Sequence, residues 1–247
     1  MDLVFTPAST SSVAAFLLIV AAVIAMTLAG VAVANRRIGG PVVPRTIAVA
    51  VGVTVWLGLF SALVSAGLVA AQPMPRLPLF FFGVNAVGLA FALGPPGTWL
   101  ASGLSARELT AFQAFRLPLE LVLHAWAAQE VIPETMTWTG ANLDVVTGAS
   151  AAVLAVIGPR GRAAYWAFDV LGLALLLNVA RVALFSSPLP FAWPVVPPLQ
   201  LALYLPYAYI APVCVAGALA GHVILTRGLL RESRSTDARR GPTAEER

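Results

Sequence analysis

Apolar residues in this chain are grouped into seven long blocks separated by short polar segments. Most blocks approach the ~20 residues that an α-helix needs to cross a hydrocarbon core of ~30 Å. The hydrophobic pattern therefore predicts a bundle of seven transmembrane helices. Their approximate limits are 13–34, 46–71, 79–100, 109–131, 143–157, 163–185 and 201–225.

Proline interrupts two of the predicted helices. The third span contains Gly-Pro-Pro-Gly at 94–97, and the fourth contains Pro118. A proline inside a helix removes one backbone hydrogen bond and favours a kink. We expect a discontinuity in the third helix. In the fourth we expect a kink that frees the carbonyl of Ala114.

Arginines mark alternate connections between the spans. One set of connections, together with the C-terminal segment, holds Arg36, Arg37, Arg45, Arg107, Arg160, Arg162 and the arginines from Arg227 onward. The opposite connections hold only Arg76 among basic residues. Because cytoplasmic loops accumulate Arg and Lys, this alternation predicts an outside N-terminus and a cytoplasmic C-terminus.

Composition agrees with a membrane location. The 247 residues are 59% apolar and 11% charged, whereas roughly a quarter of the residues in a soluble domain are charged. The mean hydropathy is +0.87. We therefore expect an all-α integral membrane protein of the bacterial inner membrane, with the lipid bilayer as its main partner. The oligomeric state is not specified by these features.

The charge and the reactive residue types exclude several functions. The net charge of +4 comes from arginines at the ends of apolar blocks, which argues against a nucleic-acid partner. There is no lysine, so Schiff-base chemistry on a lysine amine is excluded. The single cysteine, Cys214, excludes an intrachain disulfide and zinc sites built on several cysteines.

The two ends of the chain carry separate expectations. The first apolar block lacks a basic segment before it and is longer than a signal-peptide core, so we expect an uncleaved helix. The polar residues at 229–247 lack apolar periodicity, which predicts a disordered cytoplasmic tail. The transmembrane domain is accordingly placed at 1–228.

The fourth span carries a polar stripe within an apolar sequence. Its residues 112–124 read FQAFRLPLELVLH. At 100° per residue, Gln113, Arg116, Glu120 and His124 fall within an arc of about 80°. Ionisable residues inside a membrane face the protein interior and require partners. We therefore expect this stripe to face other polar side chains of the bundle.

Partners for the stripe are available on two other segments. The sixth span offers Asn178 and Arg181, and the outer mouth of the fifth span offers Asn142 and Asp144. By depth in the membrane, Arg181 is expected to meet His124 and Asp144. The candidate site consists of Gln113, Arg116, Glu120, His124, Asn142, Asp144, Asn178 and Arg181. His222, near the cytoplasmic end of the last span, is expected at the membrane interface.

A metal site is one alternative for this cluster. Glu120, His124 and Asp144 are residue types that bind divalent cations. The nearby Arg116 and Arg181 would repel a cation, so we expect neither a metal nor another cofactor. No catalytic residue is assigned.

Three functions remain open from the sequence. The preferred one is an outward-facing polar site that binds or transports a small polar ligand or an ion. A second is a membrane-embedded enzyme that uses Glu120 and His124 as acid and base. The third is a structural subunit whose polar cluster only packs helices.

Overall fold

The chain is helical throughout the part that the structure describes. This computed structural model describes residues 5–68, 73–159 and 161–240. Its helices are α1 (Thr10–Arg37), α2 (Val42–Ser65), α3 (Pro73–Leu93), α4 (Pro95–Gly103), α5 (Ala106–Phe112), α6 (Arg116–Ala128), α7 (Val145–Ile157), α8 (Arg162–Ser186) and α9 (Ala216–Arg240). Short 3₁₀ helices and one π-helical turn, Ala211–Val215, join several of them. Within these residues there is no β-strand, which confirms the predicted all-α class.

Five segments of the described chain are long and apolar enough to cross a membrane, judged by length and composition. They lie in α1, α2, α3 and α8 and in Tyr207–Ser233, which includes much of α9. The predicted fourth span is divided into two short helices, and the predicted fifth span is the 13-residue α7. An α-helix of that length extends only ~20 Å, less than the ~30 Å hydrocarbon core. The seven-span count and the orientation of the termini remain predictions.

The segment that includes α9 lies at the centre of the bundle. Its apolar window is 67% buried, against 17–33% for the other four long segments. Helix α9 packs on α3, α4, α5 and α8. A Cβ at Gly88 of α3 would lie 2.8 Å from the carbonyl oxygen of Ala216, so glycine permits this close approach. Small residues at contacts are typical of helix packing in membranes. The polar side chain of His222 on α9 is consequently enclosed by protein.

The predicted interruption at 94–97 is present between α3 and α4. Helix α4 begins at Pro95, where a missing N–H removes no intrahelical hydrogen bond. Arg227 of α9 contacts this break and donates to the carbonyl of Ala92 and, at 2.7 Å, to the hydroxyl of Thr98. The contact with Ala92 supplies a partner for a carbonyl at the end of α3. A side chain of the central helix therefore stabilises the break between α3 and α4.

The predicted fourth helix is interrupted close to the expected kink, and a second helix begins there. Helix α5 ends at Phe112, a 3₁₀ turn covers Gln113–Phe115, and α6 begins at Arg116. Pro118 falls in the first turn of α6, where the absence of its N–H costs no intrahelical hydrogen bond. The side chain of Arg116 is only 1% exposed, so the new helix starts with a charge that points into the protein.

Helix α9 extends past residue 228, the predicted end of the transmembrane domain, and ends at Arg240. The domain limits at 1–228 and 229–247 stay predictions. No proline or glycine occurs between 229 and 240, and extending an existing helix is easier than nucleating one. Three predicted features lie outside the described residues: the tail at 241–247, the end of the second span at 69–71, and the topological charge Arg160.

A surface ion pair joins the end of α1 to the start of α5. Arg37 donates two hydrogen bonds to the carboxylate of Glu108, at 2.7 and 2.8 Å. Glu108 also completes a capping box with Ser105 at the beginning of α5. The hydrogen bond from Arg37 is the main reason that the pKa of Glu108 falls to about 2, with burial opposing the shift and Ser105 adding to it.

Glu108→Gln is expected to lower stability by about 0.2–1 kcal/mol at pH 7, the range for exposed ion pairs. Because folding depresses the pKa of Glu108 from its ordinary 4.5, this contribution is complete above that value and is lost as the pH falls toward 2. Thermal unfolding of both proteins in detergent at pH 7 and pH 3 measures the difference. The difference in stability between the two proteins should be smaller at pH 3. An equal difference at both pH values would assign the effect to something other than the carboxylate charge.

Candidate functional site

Arg116 and Asp144 form a buried ion pair between α6 and the start of α7. The Nε of Arg116 donates to Oδ2 of Asp144 at 2.6 Å, and Nη2 pairs with Oδ1. Their side chains are 1% and 7% exposed. Such a pair is maintained in a protein interior only when the charges are also well hydrogen-bonded, which this two-point geometry provides. Gly148 permits the approach of α7, since a Cβ there would lie 2.8 Å from the Cα of Leu117.

His222 of α9 extends the ion pair toward α8. Its Nε2 lies 3.0 Å from Nη1 of Arg116, and its Nδ1 lies 2.8 Å from Oδ1 of Asp169. A guanidinium only donates hydrogen bonds, so Nε2 accepts and the ring proton resides on Nδ1. His222 is therefore neutral in this arrangement. The hydroxyl of Thr226 donates to the second oxygen of Asp169 at 2.5 Å, which closes a chain that begins at Asp144.

His222 is enclosed by the helix bundle, and its expected depth at the membrane interface stays a prediction. The residue is 0% exposed because it belongs to the central helix. A Cβ at Gly172 would lie 2.5 Å from Nε2 of His222, so the imidazole occupies space that only a glycine on α8 leaves open. The sequence-based cluster omitted Asp169, His222 and Thr226. A signal for them existed: His222 and Thr226 are four residues apart on one helical face, and Asp169 is a charged residue inside an apolar span.

Glu120 lies one helical turn after Arg116, on the same side of α6. Its Oε1 accepts a hydrogen bond from Nδ2 of Asn142 at 2.9 Å, and that amide group also donates to the carbonyl of Met136 at 3.1 Å. The side-chain carbonyl of Asn142 accepts from the N–H of Asp144 at 3.1 Å. Asn142 thus connects Glu120 to the ion pair. Oε2 of Glu120 is buried and has no hydrogen-bond partner among the described residues.

Gln113 lies near the same cluster, against α9. Its Nε2 donates to the carbonyl of Ala218 at 3.0 Å, and Gly221 leaves room for its amide. Its Oε1, and the hydroxyl of Thr147 on α7, are buried without a partner in the described part of the chain. The structure therefore connects four of the predicted site residues, Arg116, Glu120, Asn142 and Asp144, and buries Gln113 separately against α9.

Arg181 does not join the cluster. It is exposed and donates to Oδ1 of Asn178 at 2.9 Å, and its guanidinium lies 5.4 Å from the ring centre of Trp193. Asn178 in turn donates to the carbonyl of Ala141 at 2.8 Å. The expected meeting of Arg181 with Asp144 is wrong, because Arg116 occupies both oxygens of that carboxylate. Membrane depth alone does not specify the rotation of α8 about its axis.

His124 has a different environment from Glu120. Its ring stacks on Trp138 with centres 4.3 Å apart, and its Nδ1 is buried without a partner among the described residues. In the same part of the chain, no group of three or more His, Cys, Asp or Glu side chains is placed to hold a metal ion. His124 also does not line the cavity beside Glu120.

A cavity of about 100 Å³ adjoins Arg116, Glu120 and Asp144. Its remaining walls are almost entirely apolar and come from α3, α6, α8, the π-helical turn and the connection between α8 and α9. An apolar cavity of ~150 Å³ can hold a molecule of the size of benzene. The space therefore suits several waters or a compact molecule with an apolar body and one polar group.

The charges around the cavity do not balance. Two carboxyl groups that line it, those of Glu120 and Asp144, face one permanent cation, Arg116. An excess of buried negative charge favours the uptake of a proton or a cation.

No protein-family model, curated protein or solved structure matches this chain.

Proposed function

We propose that this chain is a multi-pass protein of the bacterial inner membrane that binds a small amine in the cavity beside Glu120. In this proposal it has seven spans, an outside N-terminus and a cytoplasmic C-terminus. The ligand enters from the outer side and places its ammonium group at the carboxyl end of the cavity. A transport role would use the same site as its binding step.

The observation that carries the proposal is Oε2 of Glu120, which is buried and has no hydrogen-bond partner among the described residues. Glu120 lines the cavity, and the other oxygen of its carboxyl group accepts a hydrogen bond from Asn142. A buried polar atom without a partner costs about 1–3 kcal/mol, and a charged one costs more. A ligand that donates a hydrogen bond and carries a positive charge would remove this cost.

The walls of the cavity define the remainder of the ligand. Most of its lining is apolar and includes Leu119, Leu123 and Leu176, so the ammonium group needs a short apolar body. Ser187 and Leu199, from the connection between α8 and α9, also line it. The proposed topology places this connection at the outer face, which supports entry from outside.

The two alternatives rest on separate observations. An enzyme using Glu120 and His124 is disfavoured because His124 stacks on Trp138 and does not line the cavity. A structural role is favoured by the hydrogen-bonded chain through Arg116 and His222, which links α6, α7, α8 and α9. That chain alone does not account for the free oxygen of Glu120.

We expect n-butylamine to raise the thermal stability of the purified protein in detergent at pH 7, whereas n-butyrate should not. At an amine concentration of ten times Kd the gain is about 1.4 kcal/mol. Glu120→Gln should abolish the shift because the amide lacks the negative charge. It should not lower the basal stability, since it removes a poorly compensated buried carboxyl group.

Two substitutions on α8 provide a matched test of the cavity. Ala180 lines it, so Ala180→Leu should fill the space and remove the n-butylamine shift. Ala174 is exposed and does not line it, so Ala174→Leu should keep the shift. A shift that survives both Glu120→Gln and Ala180→Leu would refute the proposed site. No shift with any amine, together with a large stability loss in Glu120→Gln, would favour the structural role.

A further inference from the structure

A second, larger groove lies on the opposite side of the start of α9. It has a volume of about 840 Å³ and is formed by α1, α2, α3, α4, α5, the π-helical turn and α9. Its lining is apolar and rich in glycine and alanine, apart from Thr27 and Glu108. No described residue lines both the groove and the cavity beside Glu120. The groove therefore offers a separate binding surface.

The length of the groove matches one leaflet of a bilayer. On α1 the lining extends from Val23 to Val33, and on α2 it extends from Ala48 to Leu57. At 1.5 Å per residue these stretches measure ~15 and ~14 Å, about half of the ~30 Å hydrocarbon core. A single acyl chain of a phospholipid spans that same distance.

Arginines lie at one end of the groove. Arg37 follows Val33 by four residues and so lies on the lining side of α1. It pairs with Glu108, which is itself part of the lining. The guanidinium of Arg45 lies 4.4 Å above the ring of Trp99, another lining residue.

The charge at this end is positive. Arg36, Arg37 and Arg45 lie at this end, and Glu108 is the one acidic residue among the described residues that line the groove, so these four residues have a net charge of plus two. Basic residues at a membrane surface attract anionic headgroups. Trp99 adds an aromatic ring of the kind that is enriched at headgroup depth.

From these features we infer that the groove holds one acyl chain of an anionic phospholipid, with its headgroup beside Arg37 and Arg45. The lipid belongs to the leaflet that meets the end of α1. The apolar lining selects a chain of about one leaflet in length, and the arginines select the negative charge. This lipid site does not depend on the proposed function of the cavity.

Gly52 on α2 provides a direct way to block the groove. It lines the groove and is exposed, and a Cβ built there meets nothing within 4 Å. A phenylalanine at this position would therefore occupy the space of the chain without clashing with the protein. Gly58 on the same helix is equally exposed and open but does not line the groove, so Gly58→Phe is the matched control. Ala48→Phe is a second blocking variant, at another exposed lining position.

The test measures lipid retained by the purified protein, using native mass spectrometry after exchange into mixed micelles. The probes are dioleoyl phosphatidylglycerol, dioleoyl phosphatidylcholine with the same chains, and glycerol phosphate, which has no chain. The wild type should retain phosphatidylglycerol with a preference of about tenfold over phosphatidylcholine, given the excess positive charge. Glycerol phosphate should not be retained. Arg45→Gln should reduce the preference between the two lipids.

Gly52→Phe and Ala48→Phe should each reduce retained phosphatidylglycerol at least about fivefold, whereas Gly58→Phe should match the wild type. A monodisperse elution profile establishes that each variant is folded. Equal retention by the wild type and by a folded blocking variant would overturn the inference. Equal retention of the two lipids by the wild type, or retention of glycerol phosphate, would overturn it as well.

Discussion

Arg116→Met is expected to lower the free energy of unfolding by about 3–5 kcal/mol, the usual cost of removing one partner of a buried ion pair. The substitution leaves the carboxylate of Asp144 buried without its cation and removes the donor to Nε2 of His222. Methionine keeps much of the side-chain length, so the loss of packing is small. Thermal or denaturant unfolding in detergent measures the change.

A double substitution separates the uncompensated charge from other effects. Replacing both members of a buried ion pair with apolar residues is often nearly neutral. Arg116→Met combined with Asp144→Leu should therefore be more stable than Arg116→Met alone, although two destabilising changes would ordinarily add. If the double variant is the less stable of the two, the ion pair is not the main source of the effect.

Arg181→Met is the matched control for the same residue type. Arg181 is exposed, and within the described residues its hydrogen bonds are to Asn178, so a change within about 0.5 kcal/mol is expected. The sequence placed Arg181 and Arg116 in one cluster, whereas the structure buries only Arg116. Equal losses at the two positions would argue for the sequence-based arrangement and against the structure.

Gly148→Ala is expected to give the second-largest loss, of about 1–3 kcal/mol, as for overpacking of a close contact. A Cβ at this position would lie 2.8 Å from the Cα of Leu117 and 2.9 Å from the carbonyl carbon of Arg116. These are backbone atoms of α6, so the conflict cannot be relieved by a side-chain rotation. Helix α7 would have to move away, and Asp144 would move with it.

Gly83→Ala is the control for the glycine substitution. Gly83 also lies inside a helix, but a Cβ there meets nothing within 4 Å. Alanine is the better helix former by about 1 kcal/mol, so this variant should be unchanged or more stable. Both variants are compared by unfolding in detergent. If Gly148→Ala is as stable as Gly83→Ala, then α6 and α7 do not require this close contact.

The larger losses expected on α6 and α7 also bear on the proposed ligand site. Arg116→Met and Gly148→Ala both disturb the position of Asp144 at the polar end of the cavity. Reduced n-butylamine binding in those variants would not distinguish a ligand contact from a change in helix packing. Glu120→Gln and Ala180→Leu are therefore the informative variants for binding, since they alter charge or volume at the cavity itself.

The polar stripe shows how much of the site could be predicted. Side chains three and four residues apart share a helical face, so the sequence predicts Gln113, Arg116 and Glu120 on one side, and all three side chains are buried in the structure. Asn142 and Asp144 were identified as partners because they are polar residues at the end of an apolar block. Periodicity within one helix, however, contains no information about which neighbouring helix it faces. Arg181 was for that reason assigned to a cluster that instead contains His222.

The sequence by itself determined the helical class of the chain, the apolar segments that suit a membrane and the presence of buried charge. Those properties follow from hydrophobicity and from the 3.6-residue helical period, both of which are local. Only the tertiary structure decided that α9 is central and that His222 joins Arg116 to Asp169. It also decided that Glu120 lines a cavity and that its Oε2 has no hydrogen-bond partner among the described residues. These outcomes depend on the rotation and close approach of whole helices, which glycines such as Gly148 and Gly172 permit through contacts between residues far apart in the chain.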